Sequence, residues 1–260
     1  HGKLMQKFFA IYKKEMRYYL QSITAYVSIA VFLAISGYFF SSLFKYYNFL
    51  SLQLRKTAEV ASAVNIIDSL MRPLFNNMSI ILLLILPLLT MRLFSEEKKE
   101  GTYELLMTYP VKEISTIAGK YLSALTIFIM MLAGTLLYPI LLAVFADPEP
   151  GPIFTGYLGL FLLGASFISI GIFFSSLSDN QLVSGTMTFG MVLFLLLVGW
   201  LAPIADSSLF NFISELSLIY HFNQFAKGIV NFSDITYYLF LAFFFLFLCK
   251  KSLDSDRWRA

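Results

Sequence analysis

The sequence predicts an all-α, polytopic integral membrane protein with six transmembrane helices, an N-terminal interfacial amphipathic helix and short helices outside the bilayer. Three observations lead there. Of the 260 residues, 58% are hydrophobic and 13% charged, against about 45–50% and about 25% in soluble domains. The apolar residues fall in uninterrupted blocks, each long enough at about 1.5 Å per residue to cross a hydrocarbon layer of about 30 Å. Lys and Arg, finally, are shared unequally between alternate connecting segments.

Residues 3–20 set Lys3, Lys7, Lys13, Lys14 and Arg17 among Leu4, Phe8, Ile11, Tyr12, Met16 and Leu20, an apolar set spaced by threes and fours. That pattern predicts a helix lying on a membrane face with its lysine stems reaching the headgroups. The apolar block that follows has no small-residue cleavage signature and reads as a retained helix. Six spans are expected, at about residues 23–44, 75–94, 117–145, 153–175, 182–202 and 234–249. Pro73 suits the entry to the second and Pro87 predicts a kink near its end. Tyr138-Pro139 predicts a bend in the third. The sixth is short and Phe-rich, with Lys250 and Lys251 snorkelling at its end.

Two outer segments read as more than turns. Val60, Val64, Ile67, Met71 and Leu74 recur at helical spacing in 58–74, and Phe212, Leu216, Ile219, Phe222, Phe225, Ala226 and Ile229 do so in 208–230. The first predicts a surface helix, the second one or two short helices that cap or partly re-enter the membrane. DPEPGP at 147–152 is a tight connection. Counting Lys and Arg by side gives fourteen against five, which places both termini in the cytoplasm.

The spans carry almost no ionisable side chain; Lys120 and Asp234 stand at their mouths. A proton-coupled transporter or charged-ion channel would need such groups at mid-depth. Their polar content is hydroxyls and glycines, Gly164 and Gly171 among them, suited to close helix packing. Cys249 is the single cysteine, so neither an intrachain disulfide nor a Cys-based metal site is available. His221 has no histidine partner and is expected as a surface or interface residue without a metal. Gly119-Lys120 is followed by Tyr121, so no phosphate-binding loop exists, and the chain is expected to hold no cofactor and to catalyse nothing itself. Asp206 and Glu215 lack a spaced partner carboxylate.

The informative stretch is SEEKKEGTYELLMTYPVKEISTIAGKYL at 95–122. Glu96, Glu97, Lys98, Lys99 and Glu100 extend the second span as a charged stalk, and Gly101 permits a break. A short helix is then expected from Thr102 as N-cap, with Glu104 in its first turn and Leu105, Leu106, Met107 and Tyr109 as an apolar knob that Pro110 ends. Such a helix is unstable alone and calls for a socket on a partner.

This stretch resembles the coupling-helix region of type-2 ABC transporter permeases. FFSSLSDNQLVSG at 173–185 is similar to the connection between their fourth and fifth spans, and HFNQFAKGIVNFSDITYYL at 221–239 resembles the gliding-motility-associated and copper-site-maturation branch. The resemblance covers residues 3–250. It implies a permease in the bacterial inner membrane, dimeric with an identical or different second permease subunit. Each subunit rests on a cytoplasmic ATPase that holds the ATP and Mg, in contact with membrane lipid and not nucleic acid, and an extracytoplasmic partner fits the same plan. Glu97, Glu100, Gly101, Thr102, Glu104, Leu105, Leu106, Tyr109 and Pro110 would form the main ATPase contact, and Ser178, Asp179, Asn180 and Gln181 a second. Lys13, Lys14 and Arg17 would belong to the elbow helix of residues 1–22, ahead of a six-span domain over 23–260. The expected work is export of a hydrophobic or lipid-linked substrate, or force passed to an outer partner. A non-transport membrane scaffold or assembly factor shares the topology.

Overall fold

The computed structural model describes residues 2–56, 66–103, 113–145, 148–201 and 215–259, and every regular element among them is helical. In chain order these are α1 (Gly2–Gln21), α2 (Ile23–Lys56), a π-helical turn (Ile67–Met71) running into α3 (Arg72–Thr90), α4 (Ser95–Lys99), α5 (Glu113–Thr135) and α6 (Leu137–Phe145). They continue with α7 (Pro150–Leu177), α8 (Gln181–Leu201), α9 (Leu218–Ala226) and α10 (Phe232–Arg259). Six stretches of the described residues are long and apolar enough to cross a bilayer: Ile23–Gln53, Ile67–Lys99, Glu113–Phe145, Pro150–Leu177, Gln181–Gly199 and Phe232–Ser255.

Prolines set several boundaries. Glu149 is extended and Pro150 opens α7, where a missing N–H costs nothing because first-turn amides have no helical acceptor. The fourth span therefore starts earlier than the sequence suggested, inside the DPEPGP turn. Pro87 lies within α3, which ends one turn later at Thr90. The third span breaks at Leu136, because Pro139 cannot donate to the carbonyl of Thr135. That carbonyl instead accepts the Tyr157 hydroxyl at 2.8 Å. The expected bend at Tyr138-Pro139 is thus a break one turn upstream, with Tyr138 holding it to α2: its hydroxyl donates to the Leu33 carbonyl at 3.1 Å and lies 2.9 Å from Ser36 Oγ.

Spans two and four form the centre, each with 78% of its most apolar window buried, against 11% in the first span. Helix α7 packs against α3, α5, α8, α9 and α10. Gly164 and Gly171 lie against the Phe128 ring and Thr90, so the small residues admit neighbouring helices as their composition suggested. Exposed apolar side chains cluster on the outer helices, with Tyr38 at 68% on α2 and Phe243 at 69% on α10. Lipid is the natural covering for such surfaces.

Two expectations change. The last helix is not short: α10 continues past Lys250 and Lys251 to Arg259. Of the outer segment 58–74, the described part holds the π-turn and the start of α3 in place of a separate helix. Of 208–230, α9 is the short helix foreseen, while residues 202–214 lie outside the described residues.

Candidate functional site

The polar residues of the chain gather where α1, α4 and the start of α5 meet. Gly119 makes the meeting possible: a Cβ there would stand 2.9 Å from Ile11 Cγ2, so only glycine lets α1 cross α5 this closely. Lys120, the next residue, is buried. Its ammonium donates to Glu15 Oε1 at 2.9 Å and to the Leu93 carbonyl at 2.6 Å, and stands 3.1 Å from Glu97 Oε2. Three acceptors match the three protons of an ammonium. The Phe94 ring lies 5.0 Å from the same nitrogen.

Glu97 has a second cation. Lys14 Nζ donates to its Oε1 at 2.8 Å. Two lysines and two glutamates thus form a closed, neutral set, the condition under which buried charge is tolerated. Burial alone would lower the Lys14 ammonium; its hydrogen bond to Glu97 and the fields of Glu97, Glu15 and Glu100 outweigh it and hold it raised. Beside it, Tyr18 donates to Glu96 Oε1 at 2.5 Å. Burial and then Glu96 push that hydroxyl up to about 12, so it stays a donor.

The stalk is also fastened to the centre. Ser175 Oγ accepts from the amides of Phe94 at 2.9 Å and Ser95 at 3.2 Å, and donates to the Met91 carbonyl at 3.0 Å. One hydroxyl therefore satisfies three backbone groups freed where α3 stops and α4 starts. Lys98 Nζ donates to the Ser176 carbonyl at 2.5 Å, at the carbonyl end of α7. The stalk, α1 and the C-terminal end of α7 are consequently one packed unit. At its tip Gly101 takes φ +69° with open space around it, a turn that glycine alone makes without strain.

The expected contact residues separate into groups. Glu97 is 13% exposed at its side chain and occupied by Lys14 and Lys120. Glu100, Gly101 and Thr102 are exposed. Thr102 is already helical and its hydroxyl donates back to the Glu97 carbonyl at 3.3 Å, so it does not serve as the N-cap that was expected. Glu104, Leu105, Leu106, Tyr109 and Pro110 lie outside the described residues. Lys13 and Arg17 are on the exposed side of α1 beside Phe9 and Leu20, whereas Lys14 turns to the stalk. In the second turn, Ser178 Oγ accepts from the Asn180 amide at 3.1 Å and Asn180 Oδ1 from the Leu182 amide at 2.9 Å, which caps α8. Asp179 is exposed and Gln181 half-buried, with Leu177 and Leu182 exposed at 50% and 72% on either side.

A second polar cluster lies at the other end of the bundle. His221 Nε2 donates to the Glu215 carbonyl at 2.9 Å, and its Nδ1 lies 2.6 Å from Asp234 Oδ1. Asn231 Nδ2 donates to the other Asp234 oxygen at 3.0 Å, and the imidazole stacks on Tyr237 at 4.1 Å. Both His221 and Asp234 are buried, so of the surface or interface placement read for His221 the surface reading is overturned. The sequence search looked for a second histidine; the partner was a carboxylate thirteen residues on. Among the described residues no three His, Cys, Asp or Glu side chains converge as a metal site would require.

Glu15, Lys120 and Arg92 were the site residues that sequence reasoning passed over. Glu15 is the sole acid between residues 3 and 20, and an acid set in a basic helix was the available signal. No curated protein sequence matches the chain significantly. The family model described as ABC-2 family transporter protein matches residues 9–249. That match takes in half of α1, the fastened stalk, both turns and all six spans, so the chain belongs to the ABC-2 family of transporter proteins, as a membrane-embedded permease.

Proposed function

We propose that the chain is the permease subunit of an ATP-driven transporter whose ATPase docks on the stalk tip and the Ser178–Gln181 turn. The observation that carries this reading is the fastening of the stalk. Lys120, Glu15, Lys14 and Glu97 join it to α1, and Ser175 and Lys98 join it to α7. A push on the exposed Glu100–Thr102 tip therefore moves α1, α3, α5 and α7 together. Rigid-body displacement of a packed unit is the ordinary way a small local change becomes a large one. The second turn shares this end of the molecule and carries exposed Leu177 and Leu182, apolar surface for a partner to cover.

In this reading both termini face the cytoplasm of a bacterial inner membrane, the permease pairs with a second one, and ATP and Mg belong to the ATPase. The chain moves a hydrophobic or lipid-linked substrate outward or transmits force to an outer partner. The gliding-motility-associated and copper-site-maturation branch is favoured by the 221–239 stretch.

The test is co-purification in mild detergent followed by assay of stimulated ATP hydrolysis. A protein with a phosphate-binding loop accompanies the wild-type chain. Gly101→Pro, which cannot adopt φ +69°, and the double change Glu100→Lys with Glu104→Lys each reduce association or stimulation severalfold. Wild-type behaviour in both variants overturns the docking assignment, and the absence of any ATPase favours the scaffold reading.

A further inference from the structure

Beside the ion cluster, a cleft of about 260 Å³ opens between α1 and the stalk, lined by Tyr18, Tyr19, Arg92, Glu96, Glu100 and Thr102 among others. Arg92 is 9% exposed, yet its Nη2 has no hydrogen-bond partner. The rest of that guanidinium is held firmly: Nη1 donates to Ser22 Oγ at 2.6 Å, and its carbon lies 4.8 Å and 4.9 Å from the Tyr18 and Tyr19 ring centres. A buried, oriented guanidinium with one free edge suits a phosphate or carboxylate oxygen.

The rest of the cleft argues against a plain anion. Lys14 and Lys120 are engaged by Glu97 and Glu15. Among the described residues no ion pair engages Arg92, Glu96 or Glu100, so the cleft offers one free cation and two carboxylates. A ligand complementary to that set carries a negative group and an ammonium that can donate hydrogen bonds. Helix α3 indicates where such a ligand comes from. Ile80, Leu84 and Leu88, each 55% exposed on a mostly buried helix, follow at four-residue steps, and Arg92 is the next step on. The apolar stripe thus runs along the span toward the end at which Arg92 stands, two residues past the last residue of α3, as an acyl chain runs toward its headgroup.

We infer that this cleft binds the headgroup of a zwitterionic membrane lipid of the phosphoethanolamine type, phosphate on Arg92 and primary ammonium toward Glu96 and Glu100. A trimethylated ammonium has no proton to donate there, and a purely anionic headgroup meets two uncompensated carboxylates. The cleft borders the proposed ATPase docking surface and shares Glu100 and Thr102 with it, so lipid retention is read on the chain without any ATPase present.

Native mass spectrometry of the full chain in detergent, with phosphatidylethanolamine, phosphatidylcholine and phosphatidylglycerol of matched acyl chains, tests the inference. Retention of the ethanolamine lipid should exceed that of each of the others about tenfold, the worth of one charge-assisted hydrogen bond. Arg92→Gln should lower retention of all three lipids severalfold, because each carries the phosphate. Glu100→Gln, at an exposed position that leaves packing alone, should raise the glycerol lipid toward the ethanolamine lipid. Soluble O-phosphoethanolamine should compete weakly, because it lacks the acyl stripe. Equal or stronger retention of the glycerol lipid by the wild-type chain, unchanged retention in Arg92→Gln, an unchanged preference in Glu100→Gln, or full displacement by inorganic phosphate each overturn it.

Discussion

At the stalk end of the bundle Lys120 gathers acceptors from α1, from the turn after α3 and from α4, with Glu15 lying 105 residues away. At the other end His221 and Asp234 join neighbouring helices only thirteen residues apart. Both clusters centre on buried charged groups, Lys120 with Glu15 and His221 with Asp234, but they organise the chain on different scales. The histidine pair fixes the corner between α9 and α10. The lysine cluster makes elements from three parts of the chain into one body, which is what a force-bearing end requires.

This difference can be broken most severely at Lys120. Lys120→Met leaves two buried carboxylates facing each other and is expected to cost about 3–5 kcal/mol. Thermal unfolding in detergent measures the loss, and hydrogen exchange should show α1 released from α5. Asp234→Asn keeps a polar partner for His221 while removing the charge. It should cost about 1–3 kcal/mol, with faster exchange confined to α9 and the start of α10. If that variant loosened the stalk as well, the two ends would not be separate devices.

Gly101→Ala probes the stalk tip without removing a contact, since nothing lies within 4 Å of the added carbon. Its expected cost is about 1 kcal/mol, from the backbone alone, and the unfolding midpoint measures it. Lys14→Met should be the mildest change. The Lys14 side chain is 62% exposed, and pairs at such positions contribute about 0–1 kcal/mol. Because Lys14 is raised above its ordinary 10.5, the pair stabilises fully below that pH. The contribution disappears as pH rises through the folded-state value, so wild type and variant should converge in strongly alkaline buffer.

The six spans were legible because hydropathy is summed over twenty or so residues, and no single contact decides it. The break at Leu136 was only partly legible: Pro139 announced a defect, but its position depends on which carbonyl loses its donor. The ion cluster was hidden for another reason. Lys120 resembled any cation at the mouth of a span, and nothing local connects it to Glu15. Arg92 resembles any charge that ends an apolar block, and its contacts with Ser22 and two tyrosines needed the fold. Gly101, by contrast, was legible from chemistry alone, since a glycine between a charged stalk and a new helix has few other uses.

The central claim, that stalk and elbow helix move as one, is open to direct measurement. Spin labels at Lys13→Cys and Lys99→Cys occupy exposed positions, and Cys249 is buried out of reach. In the complex with the ATPase proposed to dock on the stalk, the distance between them should form one narrow distribution that does not change on adding ATP. A broad distribution, or a shift in the distance with nucleotide, would contradict the account.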